Sequence, residues 1–367
     1  MTPPACDIQL PDYTIEPVAL SGGQVVDWGN AYLGAAGAHE FTRGEGAVVF
    51  VLDTAGTFAD HPDLAENNLT EFNKNLTNSP DRDAHGHGTH CAGIIGGLDN
   101  AEGVIGIAPR VGLVACKVLN DSGGGSYPWI SQMIRYVADL PEAGRLVGRR
   151  RIISLSLGGP AGQLTPPHLR EAIDYAIESG CFVVAAAGNS GYRGGGSTVG
   201  APGNYGPVIT VASTDQPGDK RSSFSAGGRE VDLAAPGGSI YSTHHGGTYA
   251  RLSGTSMACP QVAGVIALLL SLRTDIEHQD QLAAFLTDYA TDILAPGRDD
   301  ESGAGVPRLA PYLEAPGGRA PADEDTPIAP GPLPEEAWQP MKVLGRRVAD
   351  GSVELRYEFY GSENEGG

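Results

Sequence analysis

Gly46-Ala-Val-Val-Phe-Val-Leu-Asp53 is an unbroken apolar run that ends in an acid. A strand covered on both faces of a parallel sheet reads this way, with its polar residue at the carboxyl end. Comparable runs follow at 111–119, 151–157, 181–187 and 208–212, and helical patterns lie between them at 89–97, 129–140 and 168–179. Strands alternating with helices build βαβ units. The spacing therefore predicts an α/β fold, a doubly wound and mainly parallel sheet with helices on both faces. Ligands of such sheets bind beyond the carboxyl ends of the strands, where Asp53 and Asn189 fall.

Around this domain, expected to span 28–314, the text changes. Residues 1–27 are polar and proline-bearing, and read as an N-terminal extension. Residues 315–340 hold seven prolines and the acidic run Asp323-Glu-Asp325, the composition of a solvated linker. In 341–367, Val353-Glu-Leu-Arg-Tyr-Glu-Phe359 alternates apolar and charged residues, and Asp350-Gly351 is a turn signal. The pattern predicts a small C-terminal β-hairpin tail that needs a surface to dock on. Arg149-Arg150-Arg151 reads as a solvated helix end.

The chain has 367 residues, 41% of them hydrophobic, with 53 glycines and 27 prolines, which suits a loop-rich globular protein. A net charge of −20 argues against nucleic acid or an anionic membrane as partner. The start, Met1-Thr-Pro-Pro-Ala-Cys-Asp7, lacks the basic and apolar regions of a secretory signal, and no apolar run looks long enough to cross a bilayer. Five scattered cysteines (Cys6, Cys91, Cys116, Cys181, Cys259) read as reduced core thiols. The expectation is a cytoplasmic protein, or a secreted one only if a leader has been removed.

Three further stretches carry chemistry. His85-Gly-His87-Gly-Thr-His90-Cys91 puts histidines at the start of an apolar helix. Ala185-Ala-Ala-Gly-Asn189 ends a strand in an amide side chain. Gly254-Thr-Ser256-Met-Ala-Cys-Pro260-Gln-Val-Ala-Gly264 places a serine at the start of another buried helix, with Pro260 early enough for its missing amide to be tolerated. With Asp53 these supply an acid, a base, a nucleophile and an oxyanion donor at element ends on one rim. The cluster of His85, His87, His90 and Cys91 has a zinc reading, disfavoured because its helix is committed to the core.

In these four motifs, in the order Asp, His, Asn, Ser, the chain resembles the subtilisin-family serine proteases over roughly 28–272. The resemblance implies a serine endopeptidase acting on protein or peptide substrates. Ser256 is then the nucleophile, His87 the general base and acid, Asp53 the residue that orients it, and Asn189 with the Ser256 amide the oxyanion site. It also implies two walls of an S1 pocket, Ser156-Leu157-Gly158-Gly159 and Ala186-Ala187-Gly188, and a floor at 197–202 that Gly200 leaves open and uncharged. Large apolar P1 side chains are expected. Gly123, Gly124, Gly125 and Tyr127 resemble the edge that pairs with an extended peptide. The stretch after the histidine helix resembles the family's structural Ca²⁺ loop, with ligands from Asn100, Asp63, the carbonyls of Leu98, Glu102 and Val104, and Gln24 as a sixth. Glu230 and Asp232 match a second, weaker cation site of some members.

There are departures. Ala55 stands where a glycine is usual, and the loop to His61 looks one residue longer. Gln261 replaces a common histidine. The 27 residues before Trp28 are too few for a foldase prosegment, and in this the chain resembles the intracellular subtilisins. Those carry a short extension across the active site. Asp7-Ile-Gln-Leu-Pro-Asp-Tyr13 resembles such a segment, so residues 1–20 are expected to inhibit the enzyme until cleaved. The alternatives are a dedicated maturation protease for one partner peptide and an inactive peptide-binding scaffold, which the intact motifs disfavour.

Overall fold

The computed structural model describes residues 7–10, 16–17, 23–315 and two strands at 341–347 and 353–359. In chain order the strands are β1 (Ile8–Gln9), β2 (Glu16–Pro17), β3 (Ala47–Asp53), β4 (Lys74–Asn75), β5 (Gly112–Lys117), β6 (Gly124–Gly125), β7 (Arg150–Leu155) and β8 (Cys181–Ala186). Then follow β9 (Ile209–Asp215), β10 (Lys220–Arg221), β11 (Leu233–Pro236), β12 (Ile240–His244), β13 (Thr248–Leu252), β14 (Met341–Arg347) and β15 (Val353–Phe359). The helices are α1 (Trp28–Leu33), α2 (Ala35–Ala38), α3 (His87–Gly96), α4 (Tyr127–Asp139), α5 (Pro167–Glu178), α6 (Thr255–Leu272), α7 (Gln279–Asp288) and α8 (Leu309–Glu314).

Eight strands form the central sheet in the order β10-β9-β8-β7-β3-β5-β4, with β11 also paired to β9. Every pair is parallel except β10–β9. After β3 the chain builds β4 and β5 on one side and then β7 on the other. The topological switch therefore falls at β3, and the crevice opens over Asp53. All seven residues of β3 are buried because both faces are covered. Val49 and Val51 pack into the core beneath α3 and α6, while Val48, Phe50 and Leu52 pack into the one beneath α4 and α5. This is the period-2 alternation of a strand with two apolar faces.

The predicted α/β architecture is borne out, and the five strand runs and three helical patterns fall on β3, β5, β7, β8, β9, α3, α4 and α5. Two readings need correction. First, α6 is long and apolar enough to cross a bilayer, contrary to expectation, but 89% of that window is buried in the protein. A helix apolar all round is a core helix when the fold surrounds it. Second, Arg150 and Arg151 open β7 rather than ending a helix. Arg151 is buried, reaching Glu142 at 3.2 Å and the Val137 carbonyl at 3.3 Å, and Arg150 lies over the Phe182 ring.

The described parts of the extension pair with the body of the protein: β1 is antiparallel to β6 and β2 to β13. Contacts of the fold also reach residues ahead of Trp28. Val25 donates to the Gly103 carbonyl at 2.8 Å, and Asp27 caps α1 by accepting from the Gly29 amide at 2.8 Å. The C-terminal strands pair antiparallel, from Met341 opposite Phe359 to Arg347 opposite Val353. The proline-rich linker and the Asp350-Gly351 turn lie outside the described residues.

Candidate active site

Asp53 ends β3 with its side chain wholly buried. One carboxylate oxygen accepts the amide of Thr54 at 2.7 Å, and both face His87 Nδ1, at 2.8 and 3.0 Å. An acceptor-only carboxylate fixes the tautomer: Nδ1 carries the proton, which leaves Nε2 as the basic nitrogen of the neutral ring.

His87 is the first residue of α3, and a buried acid holds that helix start in place. Asp83 accepts from the amides of His85 (3.1 Å), Gly86 (2.8 Å) and Thr89 (2.9 Å) and from the Thr89 hydroxyl (2.8 Å). Burial alone would raise this carboxyl, but the hydrogen bonds from Gly86 and Thr89 outweigh it and hold the group below the usual range. Gly86 precedes the helix at φ 91°, and any side chain there would run into the His244 ring. The amide of Gly88, one residue past His87, donates to Thr54 Oγ1 at 2.9 Å, so the acid's turn and the base's helix are tied directly.

Ser256 is the second residue of α6, whose start has no side-chain cap. Its hydroxyl donates to the Ser156 carbonyl at 3.1 Å. Catalytic hydrogen bonds often tighten only once substrate is present, so this direction excludes nothing. Pro260 is the sixth residue of α6, deeper than the sequence suggested. It therefore deprives the Ser256 carbonyl of its helical partner. That carbonyl instead accepts from Ser156 Oγ at 3.0 Å and Cys91 Sγ at 3.4 Å. The proline thus frees an acceptor that joins α6 to the segment after β7 and to α3.

Asn189 follows β8. Its Oδ1 accepts from the amide (3.0 Å) and hydroxyl (2.9 Å) of Thr255, which assigns Nδ2 to the other side. A methyl group at Gly254 would sit 3.3 Å from Asn189 Nδ2 and 3.6 Å from the Ser256 amide nitrogen. Two uncharged donors converge on one small volume beside the serine, the arrangement that stabilises a developing oxyanion.

The segments expected to bind substrate lie together. Leu157, Ala186 and Ala187 are buried, and the floor joins the two walls through Gly159 N to Ala201 O at 2.8 Å and Gly200 N to Ala187 O at 3.1 Å. Gly188 donates to Thr255 Oγ1 at 3.1 Å, joining its wall to α6. Gly200 is needed for close approach: a Cβ there would strike the Gly159 carbonyl. On the other side, β6 is occupied. The amides of Leu10 and Asp7 donate to the carbonyls of Gly123 (3.0 Å) and Gly125 (2.9 Å), and Ile8 is buried beside Tyr127.

Comparison with known protein families matches residues 44–305 to the subtilase family, over half of the chain. The chain belongs to the subtilase family. Among its relatives, subtilisin E of Bacillus subtilis (strain 168) is 39% identical over 274 residues, 74% of this chain and 68% of that one. Thermitase of Thermoactinomyces vulgaris is 42% identical over 245 residues, 66% and 82% of the two chains. An intracellular serine protease of Paenibacillus polymyxa is 44% identical over 238 residues, 63% and 68%. This subtilase is a serine endopeptidase, acting on protein or peptide substrates, as its family is.

Of the residues expected to hold calcium in the subtilase, Gln24, Asp63, Leu98, Asn100 and Glu102 meet in one place, and Val104 joins them through its amide, not the expected carbonyl. Gln24 Nε2 lies 2.5 Å from the Leu98 carbonyl, 3.3 Å from that of Glu102 and 3.5 Å from Asn100 Oδ1. Asp63, buried, accepts from Asn100 Nδ2 at 2.8 Å, the Val104 amide at 2.9 Å and the Tyr249 hydroxyl at 2.8 Å. The loop closes tightly enough that a Cβ at Gly103 would overlap the Asp63 carboxylate. Hard oxygens gathered around one amide, on a loop with no room to collapse further, fit a calcium ion. At the second site, Asp232 pairs with Arg298 at 3.1 Å and accepts the Thr210 amide at 2.9 Å.

The four-residue zinc reading does not hold geometrically. His90 Nε2 faces the carbonyls of Ile240 and Ala250, both at 3.1 Å. Only Asp53, His87 and Cys91 gather closely among the described residues. Burial pushes the Cys91 thiol well up and that of Cys259 to about 11, so both are packing thiols. Gln261 turns its amide toward Gly29 under the start of α1. Asp83, Thr54, Tyr249 and Lys117 escaped the sequence reading. Asp83 had a signal, an acid just before a helix start. So did Lys117, a lysine ending an apolar strand.

Proposed function

We propose that Ser256, His87, Asp53 and Asn189 carry an acyl-enzyme endopeptidase mechanism. Ser256 Oγ bonds to the scissile carbonyl carbon while its proton passes to His87 Nε2. The carbonyl oxygen takes the negative charge beside Asn189 Nδ2 and the Ser256 amide. The C–N bond then breaks and His87 hands its proton to the departing amine. Water repeats the sequence, with His87 as base, to release the acid and restore the serine. Asp53 stabilises the imidazolium and keeps Nε2 aimed at the serine. The observation that carries this reading is the convergence of the two donors beside Gly254. A fluorophosphonate probe will label the enzyme and fail to label Ser256→Ala; equal labelling of that variant overturns it.

The slot between 156–159 and 186–188 is lined by backbone and small apolar groups, which favours large apolar or aromatic P1 side chains. A calcium ion held by Asp63, Asn100, Gln24 and the carbonyls of Leu98, Glu102 and Val104 would supply structural stability to the loop behind α3. Chelation then lowers the melting temperature, and an unchanged value in EDTA rules the ion out. The seating of residues 7–10 on Gly123–Gly125 supports self-inhibition by residues 1–20, since those carbonyls are the ones a substrate strand would use. A chain beginning at Gly22 will be more active than the full chain; equal activity sinks this point. The relative described as intracellular supports a cytoplasmic location.

A further inference from the structure

Lys117 ends β5 opposite Asp53 of β3 and Asn75 of β4. Its side chain is completely buried, rare for lysine, and its ammonium reaches two acceptors. One is the carbonyl of Thr54, the residue after the triad acid. The other is Asp121 Oδ1, at 2.9 Å. An ion pair of which only the lysine is fully buried adds little net stability, so the ends it joins are informative.

At one end, the Thr54 amide holds Asp53 Oδ1 at 2.7 Å and the Thr54 hydroxyl holds the Gly88 amide at 2.9 Å, just past His87. Both bonds fix the angle between acid and base. At the other end, Asp121 lies in the turn that presents β6. Asn120 donates to the Gly124 carbonyl at 2.8 Å, and its side chain accepts the Gly124 amide at 3.0 Å. The carbonyls this turn presents, Gly123 and Gly125, receive the amides of Leu10 and Asp7.

We propose that Lys117 is a positioning residue that couples the peptide-binding edge at Gly123–Gly125 to the Asp53–His87 pair. A strand docking on that edge pulls on the Asp121 turn. Through Lys117 the pull reaches Thr54, and so the orientation of the base. The enzyme thereby works best on peptides long enough to occupy the edge, while short substrates bypass the link.

The inference rests on the catalytic reading above, and Ser256→Ala tests that reading separately. The experiment compares a peptide spanning P4 to P2′ with a single-residue ester in Lys117→Met, Lys117→Arg and Asp121→Asn. For Lys117→Met, kcat/KM on the long peptide falls about 30-fold or more, and on the ester only a few-fold, the range expected when geometry near the chemistry loosens. Asp121→Asn lowers kcat for the long peptide several-fold and leaves the ester unaffected. Lys117→Arg, which keeps the cation, recovers most of the activity on the long peptide. Equal losses on both substrates with a silent Asp121→Asn overturn the coupling and leave a purely structural lysine. So does a Lys117→Met enzyme unchanged on the long peptide. If Lys117→Met does not fold, the Asp121→Asn and Lys117→Arg measurements still decide. An active Ser256→Ala defeats the catalytic reading instead.

Discussion

The starts of α3 and α6 face each other across the cleft and are finished in opposite ways. At α3 a carboxylate takes the amides of His85, Gly86 and Thr89 and the Thr89 hydroxyl, and the Gly88 amide goes to Thr54 Oγ1. At α6 a bare glycine stands at the cap, Thr255 is held by Asn189, and the Ser256 amide has no partner among the described residues. Unsatisfied first-turn amides are a liability in an ordinary helix and an anion site when pointed into a cleft. On the proposed mechanism the base is carried on a helix start that is tied down, and the nucleophile on one left open for the charge that develops during reaction.

The largest effect expected from this contrast is at Asn189. Asn189→Leu removes one of two donors and lowers kcat by about 10²–10³-fold with KM little changed, the magnitude known for this donor in subtilisin itself. A change confined to KM breaks the comparison, since Asn189 would then bind substrate and transition state alike. Gly254→Ala probes the same volume from the other side. The backbone there is extended (φ 165°), so alanine is tolerated, but its methyl falls between the two donors. Activity should drop by roughly 10–100-fold while the melting temperature stays within about 3 °C, from the modest stability terms at a cap. A full-activity Gly254→Ala enzyme means the oxyanion volume lies elsewhere.

Much of this was legible in the sequence because burial on both faces gives a strand an unambiguous signature. Val48 to Leu52 are short, rich in β-branched and aromatic residues and bounded by Gly46, which favours a strand, and an acid ending such a run is conspicuous. The triad motifs were readable for a related reason: a polar residue at an element end needs a purpose. What escaped was settled by partners remote in sequence. Two-residue strands such as β1 and β2 have no pattern of their own and exist only because β6 and β13 offer free edges. Arg151 read as a solvated charge because nothing local says that Glu142 and the Val137 carbonyl will surround it. Pro260 was read as early enough in the helix to cost no bond, but it lies deeper, and the consequence depends on Ser156 and Cys91, about 100 and 170 positions away in the chain.

On the locked side, the expected effect is on stability. Asp83→Ala leaves buried amides unsatisfied and should cost about 1–3 kcal/mol. The pH dependence follows from the direction of the shift. The folded carboxyl sits below its unfolded value near 4, so its contribution is present above about pH 4 and is lost as pH falls through the lower folded value. The gap in melting temperature between the parent and Asp83→Ala should thus be full at pH 7 and shrink below pH 4. A gap that persists unchanged at pH 3 would show that Asp83 acts by packing and not as a charged cap.

The smallest expected effect tests why α6 tolerates a proline. Pro260→Ala restores an amide within reach of the Ser256 carbonyl, which already accepts from Ser156 Oγ and Cys91 Sγ. The helix gains a bond. Against that, Ser156 Oγ and Cys91 must share their acceptor, and the unfolded chain gains freedom. These terms oppose one another, so stability should change by less than about 1 kcal/mol in either direction. The informative readout is kcat. If the freed carbonyl fixes the wall at Ser156 against the nucleophile's helix, kcat falls a few-fold even where the melting temperature is unchanged. If kcat and stability are both unaffected, the proline is a tolerated residue, and the open end of α6 owes its geometry to Gly254 and Asn189 alone.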